Sequence, residues 1–151
     1  MPPNCHFFVD DIEDDWNYSA PFDFIYSRFS TGSIANWPRF FKQSYENLTP
    51  GGSIEIYDAI YPLCCDDGSL AKDAPINRWS ILLNEGMRGM GRPLDTALYY
   101  QEQLADAGFT DIGIVREIWP INRWPKDKKY KQIGKSPYHD YLGGLALLVL
   151  R

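Results

Sequence analysis

The sequence predicts an α/β fold, a mainly parallel sheet with flanking helices, in a single domain spanning residues 1–151. Short apolar segments typical of strands alternate with longer segments of helical periodicity, and glycine or proline separates them. The chain is 44% hydrophobic and 15% aromatic, which is enough for one compact core. It has no internal repeat, low-complexity tract or linker that would divide two domains.

The amino-terminal third is predicted to contain two strands and a helix. Residues 6–9 (His-Phe-Phe-Val) have the apolar density of a short buried strand, and residues 22–26 form a second predicted strand. Residues 34–48 carry apolar side chains at helical spacing, with Asn36 as a candidate N-cap and Pro38 in the first turn. The order strand, strand, helix is therefore expected here.

The rest of the chain continues the alternation. Pro-Gly-Gly at 50–52 ends the helix, because proline cannot continue it and glycine accepts positive φ. Residues 53–57 alternate as a strand, 79–87 and 95–107 are predicted helices, and 112–119 is a further strand. A glycine directly after the second of these helices is placed to cap it.

The tail at residues 142–150 is ambiguous. Its apolar density is typical of a strand, whereas its Leu and Ala content is typical of a helix. We favour a helix.

Composition limits the class of function. A net charge of -5 argues against nucleic acid or an anionic membrane as a partner, since both favour a basic surface. Three cysteines and two histidines lack zinc-site spacing, so no metal site is predicted, and adjacent Cys64 and Cys65 indicate free thiols. The amino terminus does not resemble a signal peptide, which predicts an intracellular protein, cytoplasmic or nuclear.

An acidic segment follows the first predicted strand and is a candidate binding loop. Open α/β sheets bind ligands beyond the carboxyl ends of their strands, where Asp10, Asp11 and Ile12 would lie. A carboxylate there can accept a hydrogen bond from an adenine amino group, and the next backbone N–H can donate to a ring nitrogen. The alternative is a solvated acidic loop, because residues 13–15 (Glu-Asp-Asp) extend the run.

Several segments, in this order, resemble class I S-adenosylmethionine-dependent methyltransferases, and among them the fungal secondary-metabolism regulator (LaeA-like) group. They are the acidic segment Asp-Asp-Ile-Glu-Asp-Asp-Trp at 10–16, Phe-Asp-Phe-Ile-Tyr-Ser-Arg at 22–28, Leu-Thr-Pro-Gly-Gly-Ser-Ile-Glu at 48–55, Leu-Ala-Asp-Ala-Gly-Phe at 104–109, and Trp-Pro-Ile-Asn-Arg-Trp-Pro-Lys-Asp-Lys-Lys at 119–129. The resemblance extends from about residue 3 to residue 148.

The resemblance implies S-adenosylmethionine as cofactor and assigns residues to it. Asp11 and Ile12 would contact adenine, the latter through its backbone. Ser27, Arg28 and Phe29 would lie beside the sulfonium and carboxylate end of the cofactor. Methyl transfer relies mainly on in-line positioning of acceptor and methyl group, so no catalytic triad is expected.

The methyl acceptor is not identified by the sequence. The tryptophans are typical of core positions or pocket walls, and Trp79 and Trp119 are the candidates for the wall of an acceptor pocket.

The chain also departs from the family pattern. It corresponds to strands three to six of the usual sheet, without a counterpart of the glycine-rich loop after the first strand or of the acidic residue ending the second. This predicts a truncated or shortened methyltransferase, complete only in a longer chain or with another subunit. The alternatives are a non-catalytic regulatory or interaction protein and, with less support, an unrelated nucleotide-binding domain. An exposed sheet edge predicts poor solubility, a protein partner or self-association.

Overall fold

The computed structural model of the protein describes residues 3–65, 68–120 and 123–134, and the backbone of residues 146–150. Within these ranges the elements follow the order β1 (Phe22–Arg28), α1 (Trp37–Glu46), β2 (Leu48–Ile60), α2 (Pro75–Gly89), a 3₁₀ turn (Thr96–Tyr99), α3 (Tyr100–Ala107), β3 (Ile114–Ile118), α4 (Lys128–Ile133) and β4 (Ala146–Leu150). Among the residues described, no helix is long and apolar enough to cross a membrane.

The four strands form one sheet in the order β1-β2-β4-β3. β1 runs parallel to β2, and β4 is antiparallel to both β2 and β3. Strands β1, β2 and β3 therefore point in one direction, which confirms the predicted α/β class with a mainly parallel sheet. The carboxyl ends of β1 and β2 consequently lie at the same edge of the sheet, where ligand sites of such folds are found.

Helix α1 begins as its sequence predicts. The Asn36 side chain accepts a hydrogen bond from the Arg39 N–H at 3.0 Å, and Pro38 occupies the first turn. One face of the helix buries Trp37 and Phe41, which lie in the core between the sheet and α3. Burial of each such ring contributes about 1.5–3 kcal/mol, so this face fixes α1 in place.

The main core lies between the sheet and the pair α1 and α3. Its buried side chains are Ile34, Trp37, Phe40, Phe41, Ile54, Ile56, Ile60, Ala97, Tyr100 and Leu104. Helix α3 ends at Gly108, whose φ of 108° is the left-handed C-cap conformation. A side chain there would meet the Tyr45 ring at 2.9 Å, so glycine serves both the cap and the packing.

The glycine pair of β2 sits in a bulge. Phe22 pairs with Leu48 and Phe24 with Ser53, so residues 49–52 of β2 stand opposite the single residue at 23. A Cβ at Gly52 would lie 2.9 Å from the Thr49 carbonyl oxygen, which leaves room for glycine alone. The predicted strand 53–57 is therefore the regular part of a longer strand. Pro-Gly-Gly at 50–52 lies within that strand and does not end α1, which ends at Glu46.

Two predictions are wrong. Residues 6–9 form no strand in the described structure: the side chains of Phe7, Phe8 and Val9 are exposed, because no described strand offers them a backbone ladder. The tail is not helical over residues 146–150, since Ala146–Leu150 is a strand with backbone partners on both sides, in β2 and β3. Residues 142–145 of that tail and 121–122 of the Trp-Pro-Lys-Asp segment lie outside the described residues.

Strand β1 is an outer strand of the sheet. Its Phe24 and Tyr26 side chains are half exposed and stack on each other with ring centroids 6.4 Å apart. This apolar edge is the surface for which association is predicted, and that association stays a prediction. Within the described ranges, Cys5, Cys64 and Cys65 are not in disulfides, and Cys65 Sγ lies 3.4 Å from the Ser69 hydroxyl.

Candidate active site

The ends of β1 and β2 are joined immediately after β1. The Phe29 N–H donates to the Tyr57 carbonyl oxygen at 2.9 Å, and the Arg28 guanidinium lies over both the Phe29 and the Tyr57 rings, 5.0 and 5.1 Å from their centroids. Phe29 has φ of 53°, a left-handed conformation that costs a bulky residue of order 1–3 kcal/mol. Ser27 and Ser30 bridge the turn through their hydroxyls at 2.7 Å. Ser27, Arg28 and Phe29 therefore lie in one tightly bonded turn, and their contact with the cofactor stays a prediction.

A buried carboxylate lies beside this turn. Asp58 is 0% exposed, and its Oδ1 accepts from the Thr31 N–H at 2.9 Å while its Oδ2 accepts from the Tyr100 hydroxyl at 2.9 Å. The Thr31 hydroxyl donates to the Ala59 carbonyl oxygen at 3.0 Å. Burial raises the pKa of the Asp58 carboxyl, and the hydrogen bonds from Thr31 and Tyr100 oppose that rise. Asp58 therefore ties the loop after β1 to β2 and α3.

An apolar cavity of about 330 Å³ opens at this edge of the sheet. It is lined by Phe29, Thr31, Asp58, Ala59, Tyr61, Leu83, Met87 and Leu94. Its size falls at the lower end of the range for small-molecule sites, about 300–1,000 Å³, and its largely apolar lining is typical of them.

Helix α2 forms one wall of the cavity and is held there by two buried polar side chains. The Ser80 hydroxyl accepts from the Leu63 N–H at 3.3 Å, and the Asn84 side-chain oxygen accepts from the Leu94 N–H at 2.8 Å. Both polar side chains are buried, whereas many of the apolar side chains on α2 are exposed. The two bonds fix the position of the helix relative to the cavity.

The acidic segment forms a hydrogen-bonded turn. The Asp11 Oδ1 accepts from the Glu13 N–H at 2.9 Å, and the Asp11 carbonyl oxygen accepts from the Asp14 N–H at 3.0 Å. The Trp16 indole N–H donates to the Ile12 carbonyl oxygen at 3.0 Å. Asp11 and Ile12 remain exposed, and within the described residues neither the second Asp11 oxygen nor the Ile12 N–H has a hydrogen bond. Their contact with adenine stays a prediction.

Glu13 fastens this turn to the start of α1. Its Oε1 accepts from the backbone N–H groups of Ala35 and Asn36 at 2.9 and 3.0 Å, and its Oε2 pairs with Arg92 at 2.9 Å. Burial raises the pKa of Glu13, but the hydrogen bonds from Asn36, Ala35 and Arg92 together outweigh burial and hold the pKa below its usual value. Because Arg92 also donates to the Ser33 carbonyl oxygen, the same network reaches the loop between β1 and α1.

Two side chains of α1 complete the attachment. Arg39 pairs with Asp15 at 2.7 Å, and the Gln43 amide exchanges hydrogen bonds with the Asp14 carbonyl oxygen and the Trp16 N–H, each at 3.1 Å. The acidic segment is therefore packed on α1 as an ordered turn, and Asp11 is presented at its outer side.

The two tryptophans predicted to line an acceptor pocket lie elsewhere. Trp79 is half exposed on α2, and Trp119 packs edge-on against the Tyr57 ring with centroids 5.6 Å apart. Neither belongs to the described lining of the cavity. Their role at an acceptor pocket stays a prediction.

The family described as "Methyltransferase domain" matches residues 1–113. The chain belongs to this family. The methyltransferase domain is 37% identical over 124 residues to the probable methyltransferase tdiE of Emericella nidulans, covering 82% of this chain and 39% of that protein. It is 35% identical over 144 residues to the methyltransferase pytC of Aspergillus terreus, covering 95% and 44%. It is 33% identical over 138 residues to a secondary metabolism regulator of Cochliobolus heterostrophus, covering 89% and 45%.

Solved structures show the same fold. A phosphoethanolamine N-methyltransferase of Haemonchus contortus, in complex with phosphomonomethylethanolamine and S-adenosylhomocysteine, is similar with a TM-score of 0.52 at 15% identity, covering 93% of this chain and 35% of that one. A putative methyltransferase of Bacillus halodurans has a TM-score of 0.50 at 16% identity, covering 93% and 73%. The chain spans less than half the length of each of the three curated relatives.

Sequence reasoning on this methyltransferase domain missed Asp58 and the cavity. A signal for Asp58 was present, because residues 54, 56, 58 and 60 share one face of a strand and three of them are isoleucine. A carboxylate in phase with a buried apolar face has to be hydrogen-bonded, which marks it for attention. No local pattern predicts the cavity, since its walls come from four separate segments of the chain.

Proposed function

We propose that the protein transfers a methyl group from S-adenosylmethionine to an acceptor held in the cavity at the ends of β1 and β2. The observation that carries the proposal is the position of this cavity: it lies at the carboxyl edge of the parallel strands in a chain of the methyltransferase family. The S-adenosylhomocysteine complex of a protein with the same fold supports the choice of cofactor.

Each group of candidate residues would contact a different part of the cofactor or the acceptor. Asp11 and Ile12 would hold adenine, and Ser27, Arg28 and Phe29 would lie at the sulfonium end, where the cofactor supplies an electrophilic methyl group. Asp58 acts on the loop after β1 by fixing Thr31 in the wall of the cavity. An apolar lining keeps water from the reacting groups, and orientation of acceptor and methyl carries most of the rate enhancement.

Asp11 gives a direct test of cofactor binding. In the full-length protein, titration calorimetry with S-adenosylhomocysteine should show binding that Asp11→Ala weakens about 5–150-fold, which corresponds to a lost hydrogen bond of about 1–3 kcal/mol. Asp11→Asn separates two explanations, because the amide oxygen can still accept from the Glu13 N–H while the carboxylate acceptor for adenine is lost. A role in the turn alone predicts wild-type affinity for Asp11→Asn. Asp14→Ala, in the same exposed turn, is the matched control and should bind as the wild type does.

We further propose that a longer chain or another subunit supplies the ribose and methionine contacts. The span of the chain, less than half of each curated relative, supports this. The intact mass of the protein from its source cells tests it: a mass well above 17.4 kDa with a glycine-rich loop upstream is the expected result. A mass equal to that of this chain would contradict the longer form.

A regulatory protein without catalysis is the second candidate. Two observations favour it: relatives of the chain include secondary metabolism regulators, and β1 presents Phe24 and Tyr26 at an outer edge of the sheet. This candidate predicts no binding of S-adenosylhomocysteine and association through β1. Sedimentation of the wild type and of Phe24→Lys would show it, because a charge on the edge should yield a monomer. A monodisperse wild-type monomer would argue against it.

A further inference from the structure

Tyr61 follows β2 directly and forms part of the cavity. The residue is 6% exposed and packs in a small buried cluster with Ala59, Leu63 and Leu94. Its backbone N–H donates to the Leu94 carbonyl oxygen at 3.1 Å, which holds the main chain in place. Its side chain contributes to the cavity wall.

The hydroxyl of Tyr61 makes no hydrogen bond within the described part of the chain. Tyr100, the other buried tyrosine at this edge, donates to Asp58 at 2.9 Å. Burial raises the pKa of Tyr61, so the phenol keeps its proton at neutral pH and is available as a donor. A ligand with an acceptor atom can therefore take the place of solvent as the partner of this hydroxyl.

The described lining has no charge available to a ligand. Its one ionisable carboxyl, Asp58, is 0% exposed and already accepts hydrogen bonds from Thr31 and Ala59 at Oδ1 and from Tyr100 at Oδ2. No lysine, arginine or histidine belongs to the described lining. A charged ligand group would therefore lose its hydration without gaining an opposite charge, which is strongly unfavourable.

We propose that the cavity binds a neutral, largely apolar molecule and that the Tyr61 hydroxyl donates a hydrogen bond to an oxygen or nitrogen of that molecule. The inference rests on the proposed function, for which it specifies the class of methyl acceptor. Tyr61 positions the acceptor, and the apolar side chains of Leu83 and Met87 on α2 cover its carbon skeleton.

Four probes of similar shape test the inference on the wild-type protein. 2-Acetylnaphthalene is neutral with an acceptor oxygen, 2-isopropenylnaphthalene lacks the acceptor, 2-naphthoate is an anion and 2-naphthamidine is a cation. Fluorescence titration should rank 2-acetylnaphthalene first, about 3–10-fold tighter than the hydrocarbon, with both ions weaker still. Equal binding of ketone and hydrocarbon, tighter binding of either ion, or no binding of any probe would overturn the inference.

Two variants locate the effect. Tyr61→Phe should abolish the preference for ketone over hydrocarbon and leave the affinity for the hydrocarbon unchanged, whereas Tyr99→Phe, on the exposed 3₁₀ turn, should keep the preference. Leu83→Lys places a cation at the wall and should shift the preference to 2-naphthoate. A ketone preference that survives in Tyr61→Phe would remove Tyr61 from the proposal.

Two titrations distinguish the inference from the proposed function. S-Adenosylhomocysteine titration reports on the methyltransferase function, and the probe ranking reports on the acceptor class. Cofactor binding with a flat probe ranking would refute the inference alone. The expected ranking without cofactor binding by the full-length protein would refute the proposed function and leave a cavity for neutral ligands.

Discussion

The hydrogen bond between Tyr100 and Asp58 offers a sharp test of the structure. Both residues are 0% exposed and the donor–acceptor distance is 2.9 Å. Tyr100→Phe removes one oxygen and keeps the ring in contact with Trp37 and Phe41, whose centroids lie 4.4 and 5.3 Å away. The substitution therefore keeps the ring packing and deletes the bond to the buried Asp58 carboxylate together with a longer one, 3.4 Å, to the Thr96 hydroxyl.

We expect Tyr100→Phe to lower the free energy of unfolding by about 1.5–3 kcal/mol at pH 7, the usual contribution of a hydrogen bond to a charged group. For a chain of this size that corresponds to a melting temperature lower by about 3–12 °C. Urea unfolding with linear extrapolation measures the change. Tyr99→Phe, at a position that is 52% exposed, is the control and should change stability by less than about 0.5 kcal/mol.

The effect of Tyr100→Phe should also depend on pH. Burial raises the pKa of Asp58 in the folded state, so its stabilising contribution is complete below the unfolded pKa and declines as the pH rises through the folded pKa. The hydrogen bond from the Tyr100 hydroxyl lowers the folded-state pKa of Asp58. Without it the folded pKa is higher, so more stability is lost as the pH rises. The destabilisation should therefore be greater at pH 7 than below about pH 4. Equal effects of the two Tyr→Phe variants at pH 7 would refute this reasoning.

Two further predictions concern the loops around the site. Glu13→Gln should lower stability at pH 7 by at most about 1 kcal/mol, because it removes the charge paired with Arg92. The folded pKa of Glu13 is depressed, so melting curves of the two proteins should converge as the pH falls below the usual glutamate value; a constant difference would contradict the pairing. Gly32→Ala should destabilise by about 1–3 kcal/mol, since φ is 77° and a Cβ would lie 2.7 Å from a cavity side chain. Gly51→Ala, with φ of 83° and open space, measures the backbone strain alone, and equal denaturation midpoints would exclude the clash.

Local chemistry made part of the fold predictable. Asn36 and Pro38 specify the start of α1, and Gly108 specifies the end of α3, because caps depend on residues adjacent in sequence. The predictions failed where the outcome depends on distant partners. Residues 6–9 have the composition of a strand but no described neighbour to pair with, and Ala146–Leu150 becomes a strand because β2 and β3 both pair with it.

In the candidate site, too, local features were predictable and features built from distant residues were not. Ser27, Arg28 and Phe29 were assigned by resemblance; the structure places the Arg28 guanidinium over the Phe29 ring, and their contact with the cofactor stays a prediction. Asp58 was in phase with an apolar strand face and was recoverable from the sequence. The helix at residues 79–87 was predicted, but its placement beside Tyr61 was not, because a cavity wall is assembled from residues whose proximity no local pattern encodes.

The position of β4 constrains how the protein is made. β4 follows β3 in sequence but lies between β3 and β2, and each of its residues pairs on both sides. During synthesis, β3 has left the ribosome well before the strand that connects it to the sheet. In the interval β1 and β2 can pair, since they are close in sequence. The apolar side chains of β3 (Ile114, Val115 and Ile118) stay without a paired strand until Ala146–Leu150 is synthesised. Pausing of translation in the intervening segment would lengthen the time in which a chaperone or a protease can capture that strand.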